Sequence, residues 1–387
     1  MRNTLTPNVG CAVSAGDPLV PHASAIVGAT PRGAVRTLSL SVRDSIGRLK
    51  DQGARFVLLA LSGGADSMAM AVATIDVAQR HGLAVHSLTV DHGVRSESSE
   101  EAQWVARLAT DLGAQAATRR IQMPPTGGPE GSARQGRREA LMDEAVRLLG
   151  QYGGDFAPIL VGHTMDDQAE TVLLRLARGS GVSSLKAMAP LRAEGQVMWV
   201  RPVLNLRRSL LRAALAEAKV PWVDDVTNAA QGPWRSADGS PLRRAAVRDY
   251  ALPTLSQALG VDVVPSLART ALLAADDEAA LAQWADTAYR AAGVEGQPER
   301  LIVSEIMELP VAVLRRVLRH HLLTHGARGG DLGSTHVEKV LELVTKWHGQ
   351  GPVNVPGVSV QRLGKGKDAH ICVFSLPAGQ AHSAGNG

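Results

Sequence analysis

Five apolar runs of strand type recur along the first two thirds of the chain: FVLLALS (56–62), LAVHSLTVD (83–91), AATRRIQM (116–123), APILVGH (157–163) and VMWVRPV (197–203). The segments between them (66–80, 98–112, 130–149, 166–178 and 207–219) repeat their apolar positions at helical spacing. Ser98-Ser99-Glu100-Glu101 reads as a capping box opening the second of these helices, and Gly113 as its stop. Strands alternating with helices predict a parallel sheet covered on both faces, because parallel neighbours need crossover connections. Ligands in such sheets bind beyond the carboxyl ends of the strands, so motifs just after strands carry the most weight. After Leu252-Pro253 the alternation stops; 264–293, 309–325 and 336–348 read as helices, and 353–374 as a short apolar alternation. The expected organisation is an unstructured extension at 1–34, an α/β catalytic domain at 35–252, a smaller, mostly helical domain at 253–375 and a tail at 376–387.

Composition narrows the class. With 387 residues, 45% hydrophobic and 20% charged, the chain is not mainly disordered, and no apolar run reaches the roughly 18 residues of a membrane span. A net charge of +4 permits a nucleic-acid partner without requiring one. The two cysteines, Cys11 and Cys372, exclude a CxxC pair or a Cys/His zinc cluster and point to a reducing cytoplasm.

The strongest strand runs into Ser62-Gly63-Gly64-Ala65-Asp66-Ser67, which opens a helix. Two glycines let backbone N–H groups approach an oxyanion, the helix start adds its positive end, and two serines add hydroxyls: a phosphate cradle. It lacks the Gly-Lys-Ser/Thr of a Walker loop. Asp66 beside phosphate calls for an intervening cation, so it reads as an Mg²⁺ ligand. SGGADS resembles the signature of the PP-loop ATP pyrophosphatases, which implies an adenine nucleotide alpha hydrolase-like fold. It also implies a reaction that releases pyrophosphate and attaches AMP to a substrate oxygen.

Three further segments resemble the tRNA(Ile)-lysidine synthetase family. They are Val90-Asp91-His92-Gly93-Val94-Arg95, Ser132-Ala133-Arg134-Gln135-Gly136-Arg137, and the long run Gly162-His163-Thr164-Met165-Asp166-Asp167-Gln168-Ala169-Glu170-Thr171, continued as VLLRLARGSG. The resemblance covers most of 50–255 and continues more weakly through LPVAVLRRVLRHHL and VNVPGVSV. It implies adenylation by Mg²⁺-ATP of the wobble cytidine C2 oxygen in a CAU-anticodon tRNA(Ile), followed by attack of L-lysine. It further implies lysine recognition by Asp167 and Glu170, which are three apart and share a helix face.

By the residues alone, His163 at a strand end suits phosphate binding or proton transfer, with a structural histidine as the plain alternative. Asp166 is explained by an N-cap. Asp91 and His92 are expected to shape the nucleotide pocket. Arg134, a catalytic candidate, and Arg137 share a helix side and suit phosphate, though a solvated basic face explains them nearly as well.

The chain departs from the family pattern at Thr164, where a second histidine is usual, and at Val226, where proline is. Of an RNRIR segment only Arg244 and Arg248 remain, and both are candidates for phosphate or tRNA contact. The stretch 201–250 holds nine basic residues against five acidic, which suits a phosphate backbone or an ordinary solvated surface. The alternatives are a PP-loop 2-thiocytidine-type enzyme, disfavoured by two distant cysteines, a metabolite amidating synthetase, or a silent RNA- or nucleotide-binding homologue.

Overall fold

The computed structural model describes residues 19–93, 98–121, 129–179, 181–224, 230–232 and 239–376. The chain divides into two compact units, Met1–Leu273 and Ala274–Gly387.

The first unit opens with helices α1 (Ala23–Val27) and α2 (Gly33–Asp51). Strands and helices then alternate: β1 (Phe56–Leu61), α3 (Ala65–Arg80), β2 (Ala84–Asp91), α4 (Ser98–Leu112), β3 (Gln115–Arg120), α5 (Pro129–Tyr152), β4 (Ala157–Leu160), α6 (Met165–Leu176) and α7 (Val182–Leu185). The hairpin β5 (Leu191–Glu194) and β6 (Val197–Val200) follows, then α8 (Arg208–Ala218), the short α9 (Arg243–Ala246), a π-helical turn over Val247–Ala251, and α10 (Leu252–Leu259). The sheet order is β3-β2-β1-β4-β6-β5, parallel except for the antiparallel edge strand β5. From β1 the chain builds outward first to β2 and β3, then to β4 on the other side. The switch point, where a crevice opens beyond the strand ends, therefore lies between β1 and β4.

Burial explains why this order is stable. In β1, Phe56, Val57, Leu58 and Leu59 are all fully buried, as a central strand covered on both faces requires. Helix α3 is buried along most of its length, from Met68 through Ala78, because α2 and α8 pack against it. Strand β3, at the edge, is largely exposed and accordingly reads TRR at its end.

Two expectations are corrected here. Residues 19–34 are structured: Val20, Ala23 and Val27 enter the main core, and Leu19 N–H donates to Asp111 (2.7 Å). Residues 1–18 lie outside the described residues. Helix α4 spans Ser98–Leu112, and the Ser98 hydroxyl donates to Asp91 (2.6 Å). The boundary between units falls after Leu273, inside the long α11 (Val263–Ala292), and not at Leu252.

The second unit holds more β-structure than the helical pattern predicts. Strands β7 (Gly293–Val294) and β8 (Gln297–Ile302) follow α11. Next come α12 (Val303–Ile306), α13 (Val311–Thr324), α14 (Ser334–Thr345), β9 (Val353–Val355), β10 (Val358–Leu363) and β11 (His370–Ser375). The five strands form one sheet, order β7-β8-β11-β10-β9, with antiparallel neighbours throughout. Val313, Val317, Val340, Val358, Val360 and Ile371 are fully buried in its core. Residues 377–387 of the expected tail lie outside the described residues. Among the described residues no single helix is long and apolar enough to cross a membrane.

The packing of α1 makes a prediction. Val27→Ala, at a site 5% exposed, should lower the unfolding free energy by about 1–3 kcal/mol. Urea denaturation measures this; an unchanged midpoint would mean that residues 19–34 do not contribute to the core.

Candidate active site

The loop after β1 turns on Gly63, whose φ of +78° strongly favours glycine. A Cβ there would lie 2.6 Å from Val105 and 3.3 Å from Val223. Serine hydroxyls brace the turn: Ser67 Oγ donates to Gly64 O (2.9 Å) and lies 3.2 Å from Ser62 Oγ. Gly64 caps α3 without a side-chain bond, so the first N–H groups of the helix have no side-chain cap. The segment 221–224 closes over this loop, with Val223 N–H donating to Gly63 O (2.9 Å). Arg212 of α8 pairs with Asp224 (2.8 Å) and lies over the Trp222 ring. Asp225, Val226, Thr227 and Asn228 lie outside the described residues.

The strand across the switch point reaches the same place. Gly162 passes so close to α3 that a Cβ would meet the Asp66 carbonyl and Ser67 Cα at 3.0 Å. Thr164 then caps α6. Its Oγ1 accepts from Asp167 N–H (3.4 Å), while Asp167 Oδ2 accepts from Thr164 N–H and its hydroxyl (both 2.8 Å). Thr164 thus does the work expected of Asp166. Asp166 instead accepts from Arg208 N–H (2.8 Å) and pairs with Arg207 (3.3 Å), fixing the start of α8. Gln168 is structural, exchanging two 2.9 Å bonds with the Met188 backbone.

At the centre are three carboxylates and three arginines. Glu170 is fully buried. Its Oε1 accepts from Arg248 Nε (2.6 Å), and its Oε2 accepts from Arg248 (3.1 Å) and from Arg244 Nε (3.0 Å). Arg244 also reaches Thr171 (3.1 Å). Arg208 places its three guanidinium nitrogens on three acids: Asp66 (2.9 Å), Asp167 (3.2 Å) and Glu170 (3.5 Å). Burial raises the Asp66 carboxyl above the usual range, and Arg208 opposes this only in part. Burial pushes Asp167 the same way, but Arg208 and further positive charge outweigh it and hold that carboxyl low. The Asp66 Oδ1 atom is buried with no hydrogen-bond partner among the described residues, so a carboxylate oxygen remains for a cation.

Several expected residues take other positions. Arg244 and Arg248 hold Glu170, and Arg207 and Arg212 hold acids of their own, so the basic excess of 201–250 is largely paired internally. Glu170 accordingly has no exposed oxygen for a lysine ammonium. Asp91 Oδ1 accepts from Gly93 N–H (2.8 Å) and Ser98, so this carboxylate shapes its own turn. Burial would raise it, but these bonds and Arg120 hold it below the usual range. Val94 and Arg95 lie outside the described residues.

His92 Nε2 accepts from Arg137 (3.2 Å), which joins two expected site residues. Burial and Arg137 lower its pKa to about 4. Arg134 is exposed, and its charge reaches His163. His163 is lowered to about 4, chiefly by burial, and its Nδ1 has no partner among the described residues. Arg208 was missed by sequence reasoning. Its signal was its place at the start of the helix that follows β6, at the carboxyl end of the sheet.

Comparisons with known proteins identify the family. Residues 38–238 match the model of the PP-loop domain, and 301–363 that of the TilS substrate binding domain. A tRNA(Ile)-lysidine synthase of Streptomyces coelicolor is 42% identical over 315 residues, 81% of this chain and 84% of the relative. The chain belongs to the tRNA(Ile)-lysidine synthase family. The synthase of Thermobifida fusca is 41% identical over 82% of this chain and 91% of its own length, and that of Salinispora tropica 42% over 85% and 93%. Membership makes the chain an ATP-using carbon–nitrogen ligase, and the thiolase-type and silent alternatives are not favoured.

The two histidines predict a pH dependence. Their folded pKa values lie below the unfolded value near 6.5, so on acidification the unfolded chain takes up protons first. Their contribution to stability should be complete above about pH 6.5 and fall as pH drops toward 4. Imidazole NMR should find both rings neutral at pH 5.5; a midpoint near 6.5 would contradict this burial.

Proposed function

We propose that this chain forms lysidine at the wobble cytidine of a tRNA(Ile) with a CAU anticodon, using ATP and L-lysine in a reducing cytoplasm. One observation carries the reading: a single guanidinium, Arg208, spans the acid at the phosphate loop and the acid on the motif helix. On this reading the nucleotide and amine sites would be immediate neighbours. Backbone N–H groups at the start of α3 would bind ATP phosphate. The C2 oxygen of the base attacks the α-phosphorus, pyrophosphate leaves, and C2 becomes electrophilic. Lysine Nζ then forms the new carbon–nitrogen bond as AMP departs.

Each residue has a distinct part. The unpartnered Asp66 Oδ1 fits Mg²⁺, which when bound would neutralise phosphate charge. Among the described residues no three His, Cys, Asp or Glu side chains form a metal site, so phosphate and water would supply most of its ligands. Asp167 suits binding of the lysine ammonium: Oδ2 is fixed by Thr164, and Oδ1 meets only cationic donors. Being held ionised, it is a better anchor than base. Neutral His163 is our proton acceptor, a role that nearby triphosphate charge would favour. Arg134 and Arg137, both exposed, would contact phosphate of ATP or of the tRNA backbone. Glu170 anchors Arg244 and Arg248, whose remaining donors are available to phosphate.

The decisive assay is incorporation of radiolabelled lysine into CAU-anticodon tRNA(Ile) with Mg²⁺-ATP, with initiator methionine tRNA as control. Selective incorporation is expected. None, with pyrophosphate still released on other RNA, would keep the ATP site and discard this substrate. Asp66→Ala should abolish adenylation while tRNA binding persists, and normal turnover would remove the Mg²⁺ role. Asp167→Asn should raise the KM for lysine at least tenfold with little change for ATP; equal shifts in both would refute the lysine anchor.

A further inference from the structure

Arg208 pairs with both of the acids at which the proposed reaction needs other cations. Its Nε lies on Asp66 Oδ2, on the acid fitted for Mg²⁺, and a terminal nitrogen lies on Asp167 Oδ1, the oxygen fitted for the lysine ammonium. The guanidinium is planar and rigid, so these contacts are not adjusted independently. Glu170 does not depend on it, because Arg244 and Arg248 already hold that carboxylate. The backbone of Arg208 is pinned by Asp166 and the start of α8, which leaves the side chain as the part that moves. A divalent cation at Asp66 would repel a guanidinium bonded to the same carboxylate.

We propose that Arg208 is a positioning residue that makes lysine binding conditional on the nucleotide. In the free enzyme its guanidinium closes the lysine anchor. When a cation and nucleotide take Asp66, the guanidinium swings away and Asp167 Oδ1 opens to the ammonium. Lysine thus enters after the partner that activates the base. This rests on the reading of Asp66 and Asp167 given above.

Calorimetric titration of L-lysine into the full chain tests it without turnover. The titration is run on the protein alone and with Mg²⁺ and α,β-methylene-ATP, which resists cleavage at the reacting bond. The wild type should bind lysine at least tenfold more tightly with the nucleotide. Arg208→Gln should bind lysine at least tenfold more tightly than wild type without nucleotide, and should respond less than threefold to its addition. A purely structural arginine predicts the opposite sign, a loss of affinity. Arg208→Lys, with one nitrogen in place of three, should fall between the two and serves if the Gln variant does not fold.

Equal lysine affinity in the wild type with and without nucleotide would overturn the coupling and leave the lysine anchor standing. Full nucleotide dependence retained in Arg208→Gln would show that the coupling runs elsewhere. No lysine binding under either condition, together with an unchanged KM for lysine in Asp167→Asn, would remove the anchor and the coupling with it.

Discussion

The site depends on compensated charge among carboxylates largely removed from solvent. Asp66, Asp167 and Glu170 are mostly or wholly removed from solvent, and burial of an ionised carboxylate without a partner is costly. Arg208, Arg244 and Arg248 supply the compensation, drawn from α8, α9 and the π-helical turn. Because these arginines come from distant parts of the chain, charge pairing fixes how α6, α8 and the 243–251 segment meet. The same pairing leaves one buried oxygen, Asp66 Oδ1, without a partner among the described residues.

Backbone geometry delivers the acids to that site. The strand order reverses between β1 and β4, and a glycine follows each strand, Gly63 after β1 and Gly162 after β4. Gly63 turns where a side chain would strike Val105, and Gly162 approaches α3 where a Cβ would press on the backbone. Larger residues at either place would separate the phosphate loop from the motif helix. Thr164 completes the arrangement, since the capping box orients Asp167 while closing the helix. The departure from histidine at this position therefore has a structural use.

Charge also separates the roles of similar groups. Asp66 and Asp167 share Arg208, yet their carboxyls shift in opposite directions because Asp167 has additional positive neighbours and backbone bonds. An acid short of positive charge suits a metal; one already held ionised suits an ammonium.

The sequence by itself determined the parallel core, the phosphate loop and the motif helix. Their signals are local: apolar runs of strand length, a double glycine before a helix, and carboxylates spaced three apart. It missed α1, the edge strand β5 and the pair β7 and β8, which are short or polar and owe their order to neighbours, and also α2, whose apolar Leu38, Val42, Ile46 and Leu49 do recur at helical spacing. Tertiary structure alone decided the pairing within the site. Nothing local distinguishes an arginine that meets phosphate from one that holds a carboxylate, and Arg244 and Arg248 lie more than seventy residues from Glu170. Likewise the Asp166 side chain, a natural cap by position, bonds the start of α8 because β4 and β6 bring that helix alongside. Residue type sets which bonds a group can make; the fold sets which partner is close enough to make them.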